Sequence, residues 1–583
     1  MSATEVSPVL DVAGDVQRRR LLYRLGLSED HFFLVLAIFI GVLSGLAVVC
    51  FRVCIEWLRF VLLGPTLEPH NTRLLLAPGI AGLVVAVLVM RIFPRVRGSG
   101  VNQTKAALYI YDGYIPLRTA VGKFITSALA IGAGHSLGPE DPSLQIGASL
   151  ASALGRWLHL SREKLRLIAP VGAAAGLAAA FNAPISAVLF VIEEVIGRWS
   201  AGILGSVVLS AVSSVVIARW FLGSEPLFHI PPVTSVRPGE LAAYVVLGLV
   251  GGVASVVFAK GVAAARARLK AAPQWTQYFQ PAVAGLLIGL IGYLGVPHVM
   301  GAGYVFIDQA MHDQFTWEFL GILAGLKILA TTLSFTSGTP GGMFAPTLFI
   351  GAMLGGAVGG FERHFFPHMA GSVGTYALVG MGVLFAGFLR APMTSVFMVL
   401  EVSGNYSIII PVMVANTIAY LISRSLQPTP IFDLLSRQDG VELPSLEQQR
   451  EQPILRVEDA MRTPAVAVVE ADELLEPALK RVQRLPGDTV FVRLSPIGWN
   501  RVERSSLQAL VAAGHGDLTV GAALSSPALP YLHPDQPLDT ALLYLHDLAE
   551  IPVVHRADFR KLEGIISLED VIRRYGLQGR NRE

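Results

Sequence analysis

Gly134-His-Ser-Leu-Gly-Pro-Glu-Asp-Pro142, running directly into the uncharged stretch Ser143–Leu154, decides how this chain is read. Glycine and proline crowd the first segment and break any regular element; the stretch after it suits a buried helix. The pattern is that of a helix that begins abruptly inside an apolar region. Irregular backbone is tolerated at membrane depth only where protein buries it or where it lines a cavity. The first turn of a helix leaves backbone N–H groups unpaired and carries roughly half a positive charge from the macrodipole. Such a terminus binds an anion without needing a lysine or arginine.

Two further segments share the design. Arg97-Gly-Ser-Gly-Val-Asn102 precedes one helical run, and Ser337-Gly-Thr-Pro-Gly-Gly-Met-Phe-Ala-Pro346 precedes Thr347–Gly355. Around them lie apolar segments at about His31–Leu63, Arg73–Ile92, Leu117–Gly134, Leu165–Phe181, Ala183–Ile196 and Ile203–Phe221. A second series covers about Leu241–Ala264, Pro281–Leu294, Phe319–Ser334, Phe344–Gly360, Tyr376–Phe388 and Ile408–Ile422. Several fall short of the roughly 20 residues a spanning helix needs. Broken helices in two successive hydrophobic halves point to an ion site near the midplane, between structural repeats. Residues 31–440 are therefore expected to form an all-α polytopic membrane domain of two inverted-topology halves, joined near Gly223–Gly239.

Composition agrees. Of the 583 residues, 53% are hydrophobic and only 15% charged, where soluble chains carry about a quarter. The 58 glycines suit close helix packing, as does the small-xxx-small spacing of Gly41 and Gly45. A formal net charge of +2 argues against a nucleic-acid partner. Cys50 and Cys54 alone make neither a disulfide framework nor a zinc site and are expected to be small buried hydrophobes. Residues 1–30, with Arg18-Arg19-Arg20, show no secretory signal and are expected to stay cytoplasmic. An intramembrane enzyme would need a nucleophile–base pair or metal ligands; His135 stands alone in its segment. No metal and no required cofactor is expected.

From about Pro453 charge becomes frequent and the sequence repeats itself: Asp472–Leu479 aligns with Asp535–Leu542, Pro464 with Pro527 and Val490 with Val553. Each copy reads as strand, helix and strand. With Val457-Glu-Asp-Ala-Met-Arg-Thr-Pro464 opening one copy and Leu562-Glu-Gly-Ile-Ile-Ser-Leu-Glu-Asp570 closing the other, residues 453–583 resemble an α/β tandem CBS pair, about 453–512 and 518–577. That resemblance implies adenine nucleotide binding (ATP, ADP or AMP), with Ser567 and Asp570 as ribose ligands. The first copy has Ser506 but Ala509, so a structural, dimer-supporting role is the other expectation.

The three helix starts resemble the signature regions of CLC chloride channels and chloride/proton antiporters, approximately GSGIP, GREGP and GGxFAP. Here they read Gly98-Ser-Gly-Val-Asn102, Gly138-Pro-Glu-Asp-Pro142 and Gly341-Gly-Met-Phe-Ala-Pro346, in the family's order. The likeness continues through Phe181-Asn-Ala-Pro184, Phe190-Val-Ile-Glu-Glu194 and Glu401-Val-Ser-Gly-Asn-Tyr406. It implies a homodimer in the cell membrane, with N-terminus and tail cytoplasmic, moving chloride or another small anion, and in exchangers protons. By the same resemblance Ser99, beside Gly100, gives its hydroxyl to the central anion, and the amides of Met343 and Phe344 point at it. Glu140 is the outer gate and Glu194 passes protons from inside. A glutamate at bilayer depth costs several kcal/mol and is functional by default. The plainer alternatives are Ser99 as a helix cap, Glu140 as a dipole partner and Glu194 as a structural acid. Glu193, Lys123, Lys327 and Glu401 are expected to be structural. Four departures stand out. Phe432 replaces the usual tyrosine and removes an O–H from the anion position. Pro139 and Asp141 replace an arginine and a glycine at the outer site, and Asn102 replaces a proline.

Overall fold

A computed structural model describes residues 29–197, 201–224, 227–228, 240–367, 371–441, 443, 455–463, 467–484, 488–494, 498–524, 527–546 and 548–575. Most of the expected cytoplasmic segment 1–30, most of the join at Gly223–Gly239, and Pro464 lie outside them. The chain divides into two compact units, Met1–Gln449 and Arg450–Glu583.

The first unit is helical, and its helices come in one order twice. The first series is α1 (Glu29–Leu63), α2 (Thr72–Val87), α3 (Gly100–Tyr109), α4 (Leu117–Gly132), α5 (Glu140–Trp157), α6 (Arg162–Phe181), α7 (Pro184–Phe190) and α8 (Ala201–Leu222). The second is α9 (Leu241–Ala271), α10 (Gln280–Tyr293), α11 (Tyr304–Met311), α12 (Trp317–Thr336), α13 (Phe344–Phe365), α14 (Val373–Leu384), α15 (Pro392–Ser403) and α16 (Ile409–Leu426), followed by α17 (Ile431–Gln438). Packing repeats as well: α1 lies on α8 as α9 lies on α16, α5 on α6 as α13 on α14, and α2 packs against its own counterpart α10.

Reciprocal contacts relate the halves by a local two-fold, the arrangement expected of inverted repeats. Glu193 Oε2 accepts hydrogen bonds from the Thr394 N–H (3.0 Å) and hydroxyl (2.8 Å), capping α15. Glu401 does the same for α7 through the Ile185 and Ser186 amides at 2.9 and 2.7 Å. Lys123 Nζ donates to the carbonyls of Val96 and Gly98, and Lys327 Nζ to those of Val299 and Gly301. All four residues are structural partners, as expected.

Among the described residues eight helices are long and apolar enough to cross a membrane. Burial sorts them: 78% of the apolar window of Phe344–Phe365 is buried, against 39% for Thr72–Ile92. The centre is built by close backbone approach. A Cβ on Gly147 would stand 2.2 Å from the Gly172 carbonyl oxygen, and one on Gly351 2.3 Å from that of Gly380; only glycine permits this contact. Gly41 and Gly45 let α1 approach the Ser210 and Ser214 carbonyls of α8 in the same manner. The cysteines depart from expectation. Cys50 is exposed and Cys54 half-buried, because α1 is apolar on its outward face too, where lipid rather than protein is the neighbour.

In the tail, β1 (Ala467–Glu470) pairs in parallel with β2 (Thr489–Arg493), which pairs antiparallel with β3 (Trp499–Glu503). β4 (Glu550–His555) and β5 (Asp558–Ser567) form an antiparallel pair. The helices are α18 (Val457–Ala460), α19 (Leu475–Val482), α20 (Arg504–Ala512), α21 (Asp539–Leu545) and α22 (Leu568–Arg574). The cores cross the copy boundaries drawn from the repeat. Val457 packs with Leu532, Leu538, Ile551 and Ile566 of the second copy. Val520 packs with Val469, Leu475 and Val490 of the first.

Candidate functional site

The heads of α5 and α13 meet on the two-fold. Gly138 N–H donates to the Gly342 carbonyl and Gly342 N–H to the Gly138 carbonyl, both at 2.8 Å. Each head then reads X-X-Pro, Glu140-Asp141-Pro142 and Phe344-Ala345-Pro346, with proline at the third helical position. Proline is tolerated there because the amide it lacks would be unpaired anyway. Each head is left with two first-turn N–H groups, aimed into a buried region.

Glu140 is fully buried. Its Oε2 accepts from the Ala345 amide at 3.4 Å, a long bond, and Oε1 has no hydrogen-bond partner among the described residues. Ala345 directly follows Met343 and Phe344, whose amides are expected to point at the central anion. The carboxyl stands over Gly138, where a Cβ would lie 2.2 Å from Oε2. Beside this head a cavity of about 650 Å³ is lined by Arg52, Arg59, Pro139, His298 and Tyr304. Arg52, from α1, lines this cavity together with Pro139. It supplies a positive charge that Pro139 cannot.

Asp141, the next residue, turns to the head of α3. Its carboxylate accepts from the Ser99 hydroxyl (2.9 Å) and from the amides of Gly100 (2.8 Å) and Val101 (3.2 Å). Lys123 Nζ stands 3.9 Å away. Ser99 is the N-cap of α3, its Oγ also accepting from Val101 N–H at 3.2 Å.

Below these heads lies a ring cluster. Phe344 meets Phe190 at 5.0 Å between centroids, Phe385 at 5.8 Å and Phe432 at 6.3 Å. Asn102 Nδ2 donates to the Phe432 carbonyl at 2.8 Å, giving the residue in proline's place a holding function. Further along, Glu194 lies in a π-helical turn, Val191–Ile196, that continues α7; such turns recur at functional sites. Lys105 of α3 donates to Glu194 Oε1 and stands 3.6 Å from Asp433 Oδ1, all three buried.

Ser99 and Gly100 meet Asp141, the neighbouring Glu140 meets Ala345, and Phe344 meets Phe432, so that with Met343 they form one buried series. Glu194 joins it only through Lys105 and Asp433, the latter next to Phe432. Sequence reasoning missed Lys105, Asp433 and Arg52. An isolated cation at position 105 and an acid beside Phe432 were the available signals; neither names its partner.

In the tail, Ser567 N-caps α22 and shares a capping box with Asp570. Asp570 is buried. It accepts from Ser567 Oγ at 2.6 Å and Arg462 Nε at 2.8 Å, and also from Arg573. Burial pushes its carboxyl upward, yet the Ser567 and Arg462 hydrogen bonds outweigh burial and hold it below the usual range. In the first copy the equivalent helix α20 has Glu503 at its head. Ser506 and Ala509 lie inside that helix and are not the counterparts of Ser567 and Asp570.

A membrane protein of two inverted halves, whose broken helices aim their N-terminal ends at one buried point, falls in the structural class of ion-pathway proteins. The pattern of the family described as voltage gated chloride channel matches residues 81–424, and that of the CBS domain residues 520–576. The chain is 31% identical over 426 residues to the putative chloride channel protein ClcB-like of Ralstonia nicotianae, covering 70% of this chain and 99% of that protein. It is 31% identical to the H(+)/Cl(-) exchange transporter ClcA of Yersinia pseudotuberculosis, covering 74% and 93%. A solved slow cyanobacterial Cl-/H+ antiporter superposes with a TM-score of 0.64 at 26% identity, over 72% of this chain and 99% of that one. This chain belongs to the CLC family of voltage gated chloride channels and their exchanger relatives.

Proposed function

We propose that the chain exchanges chloride for protons across the cell membrane. Glu140 would be the outer gate, Glu194 the inner proton donor, and the anion would rest among Ser99, Gly100, Met343 and Phe344 above Phe432. The observation that carries this reading is the Glu140 carboxyl lodged between the heads of α5 and α13. Ionised, it fills the place an anion would take; protonated and withdrawn, it frees that place. The named exchangers among the relatives support the same assignment. In proteoliposomes of the purified chain, an imposed chloride gradient is expected to drive proton uptake. Chloride flux without proton movement would make the protein a passive channel instead. That second reading draws on the buried Lys105–Glu194 pair, which ties the inner carboxylate to a cation, and on Phe432, which offers no hydroxyl.

The assembly we propose is a homodimer, each subunit with its own pathway, with N-terminus and tail on the cytoplasmic side. For the tail, adenine nucleotide binding at Ser567 and Asp570 competes with a purely structural role. The bonds Asp570 already makes to Arg462 and Arg573 favour the structural one. A nucleotide at 100 times its dissociation constant would stabilise the protein by about 2.7 kcal/mol. If millimolar ATP, ADP and AMP leave the melting of the purified full chain unmoved, the tail is structural.

A further inference from the structure

We propose that Asp141 is a second tethered anion. It occupies the Ser99–Gly100–Val101 donor set at the head of α3 and competes there with the permeating ion, so this chain guards its centre with two neighbouring carboxylates. The inference rests on the reading of this region as an anion path.

Two adjacent side chains of α5 divide between the other two helix heads. Glu140 turns to Ala345 of α13, and Asp141 turns to Ser99, Gly100 and Val101 of α3. Gly342 makes room for the second of these, since a Cβ there would stand 2.7 Å from Asp141 Cβ. A carboxylate that accepts a hydroxyl and two first-turn amides takes the donors an anion at that helix head would use. Asp141 is also buried, so water is poorly placed to replace those bonds.

Asp141 is not there for the sake of Lys123. Lys327, the counterpart of Lys123 in the second half, makes the same pair of carbonyl bonds. The position matching Asp141 across the two-fold is Ala345, so the second half manages its lysine without an acid at that place. What differs at Asp141 is the donor set at α3. With the Ser99 hydroxyl given to Asp141, and a phenylalanine at position 432, neither of the two places where the anion is expected to find an O–H offers one. An ion at the centre then relies on backbone amides, and it holds less tightly than it would with Ser99 free.

The test is chloride binding by titration calorimetry on the full chain in detergent, with chloride efflux from proteoliposomes measured in parallel. Asp141→Gly is expected to tighten chloride binding by about tenfold, the scale of one recovered charge-assisted hydrogen bond. Asp141→Asn keeps the shape and removes the charge, and is expected to move affinity in the same direction by a smaller factor. Ser99→Ala is expected to weaken chloride binding by a smaller factor in the unaltered chain than beside Asp141→Gly, where it costs about tenfold. The proposal is overturned if both Asp141 variants bind chloride as the unaltered chain does, or if Ser99→Ala alone weakens binding as much as it does beside Asp141→Gly. Should Asp141→Gly not fold, Ser99→Ala is compared alone and beside Asp141→Asn, and the same outcomes decide. No chloride efflux from any version would instead sink the anion-path reading itself, whereas efflux with unaltered affinities sinks only the role of Asp141.

Discussion

The heads of α5 and α13 share a backbone and differ in chemistry. Both begin after a glycine that bonds to its opposite number, and both have proline third in line. Yet one carries Glu140 and Asp141 where the other carries Phe344 and Ala345. The repeat thus supplies a symmetric frame of unpaired amides, and the side chains break that symmetry. The first half contributes two carboxyl side chains, and the second contributes amides and an aromatic ring. A symmetric centre would give an ion two equal heads and no reason to wait; under the function proposed above, the acids make passage conditional.

The comparison breaks most visibly at Glu140. Glu140→Gln removes the charge that distinguishes the two heads, so chloride flux is expected to persist while chloride-driven proton uptake falls to the level of empty liposomes. Pumping that survives this change would remove Glu140 from the gate. Glu194→Gln tests the inner end, where the first half again holds the acid. It is expected to abolish proton uptake with chloride flux spared, and a loss of both would mark Glu194 as a structural partner of Lys105.

The tail sharpens the same contrast between copies, because the head of α20 has Glu503 where that of α22 has the Ser567–Asp570 capping box. Asp570→Asn gives up hydrogen bonds to a charged group worth about 2 kcal/mol. Since Asp570 is held below its ordinary range, its contribution is present above the unfolded value and fades as pH falls through the folded one. Calorimetry of the full chain at several pH values is expected to show the tail's melting temperature lowered at neutral pH and converging with the unaltered chain in acid. A constant gap would assign the loss to packing.

The smallest effects test the symmetry itself. Glu193→Ala and Glu401→Ala each remove a helix cap from the opposite half and are expected to cost about 1 kcal/mol apiece. In the double variant the costs are expected to add within about 0.5 kcal/mol. Strongly unequal costs in thermal unfolding would show that the halves share geometry without sharing energetics.

The helix starts were legible in the sequence because glycine and proline act locally: Ser99 caps α3, and α5 and α13 begin at Glu140 and Phe344 within the segments that announced them. Side-chain pairing was not legible. Asp141 reaches Ser99, Lys105 reaches Glu194, and Asn102 reaches Phe432 across long stretches of chain, and only the folded crossing of α3, α5, α7 and α17 brings them together. Cys50 misled because an apolar residue reads the same whether it faces protein or lipid. The tail's copies were visible as a repeat, while the exchange of Val457 and Val520 between cores was hidden, since repetition reveals units and not which lead-in segment completes which unit.

That exchange sets where the tail can end. A gene truncated after Ala512 would keep β1 to β3 but strip Val520 from their core, and would leave Val457 without the Leu532 and Ile566 it rests on. The surviving copy would then present bare apolar surface at both of its edges, a signal for proteolysis and aggregation. The folding unit of this tail is therefore the pair, and a truncation within the second copy opens the core of the first as well.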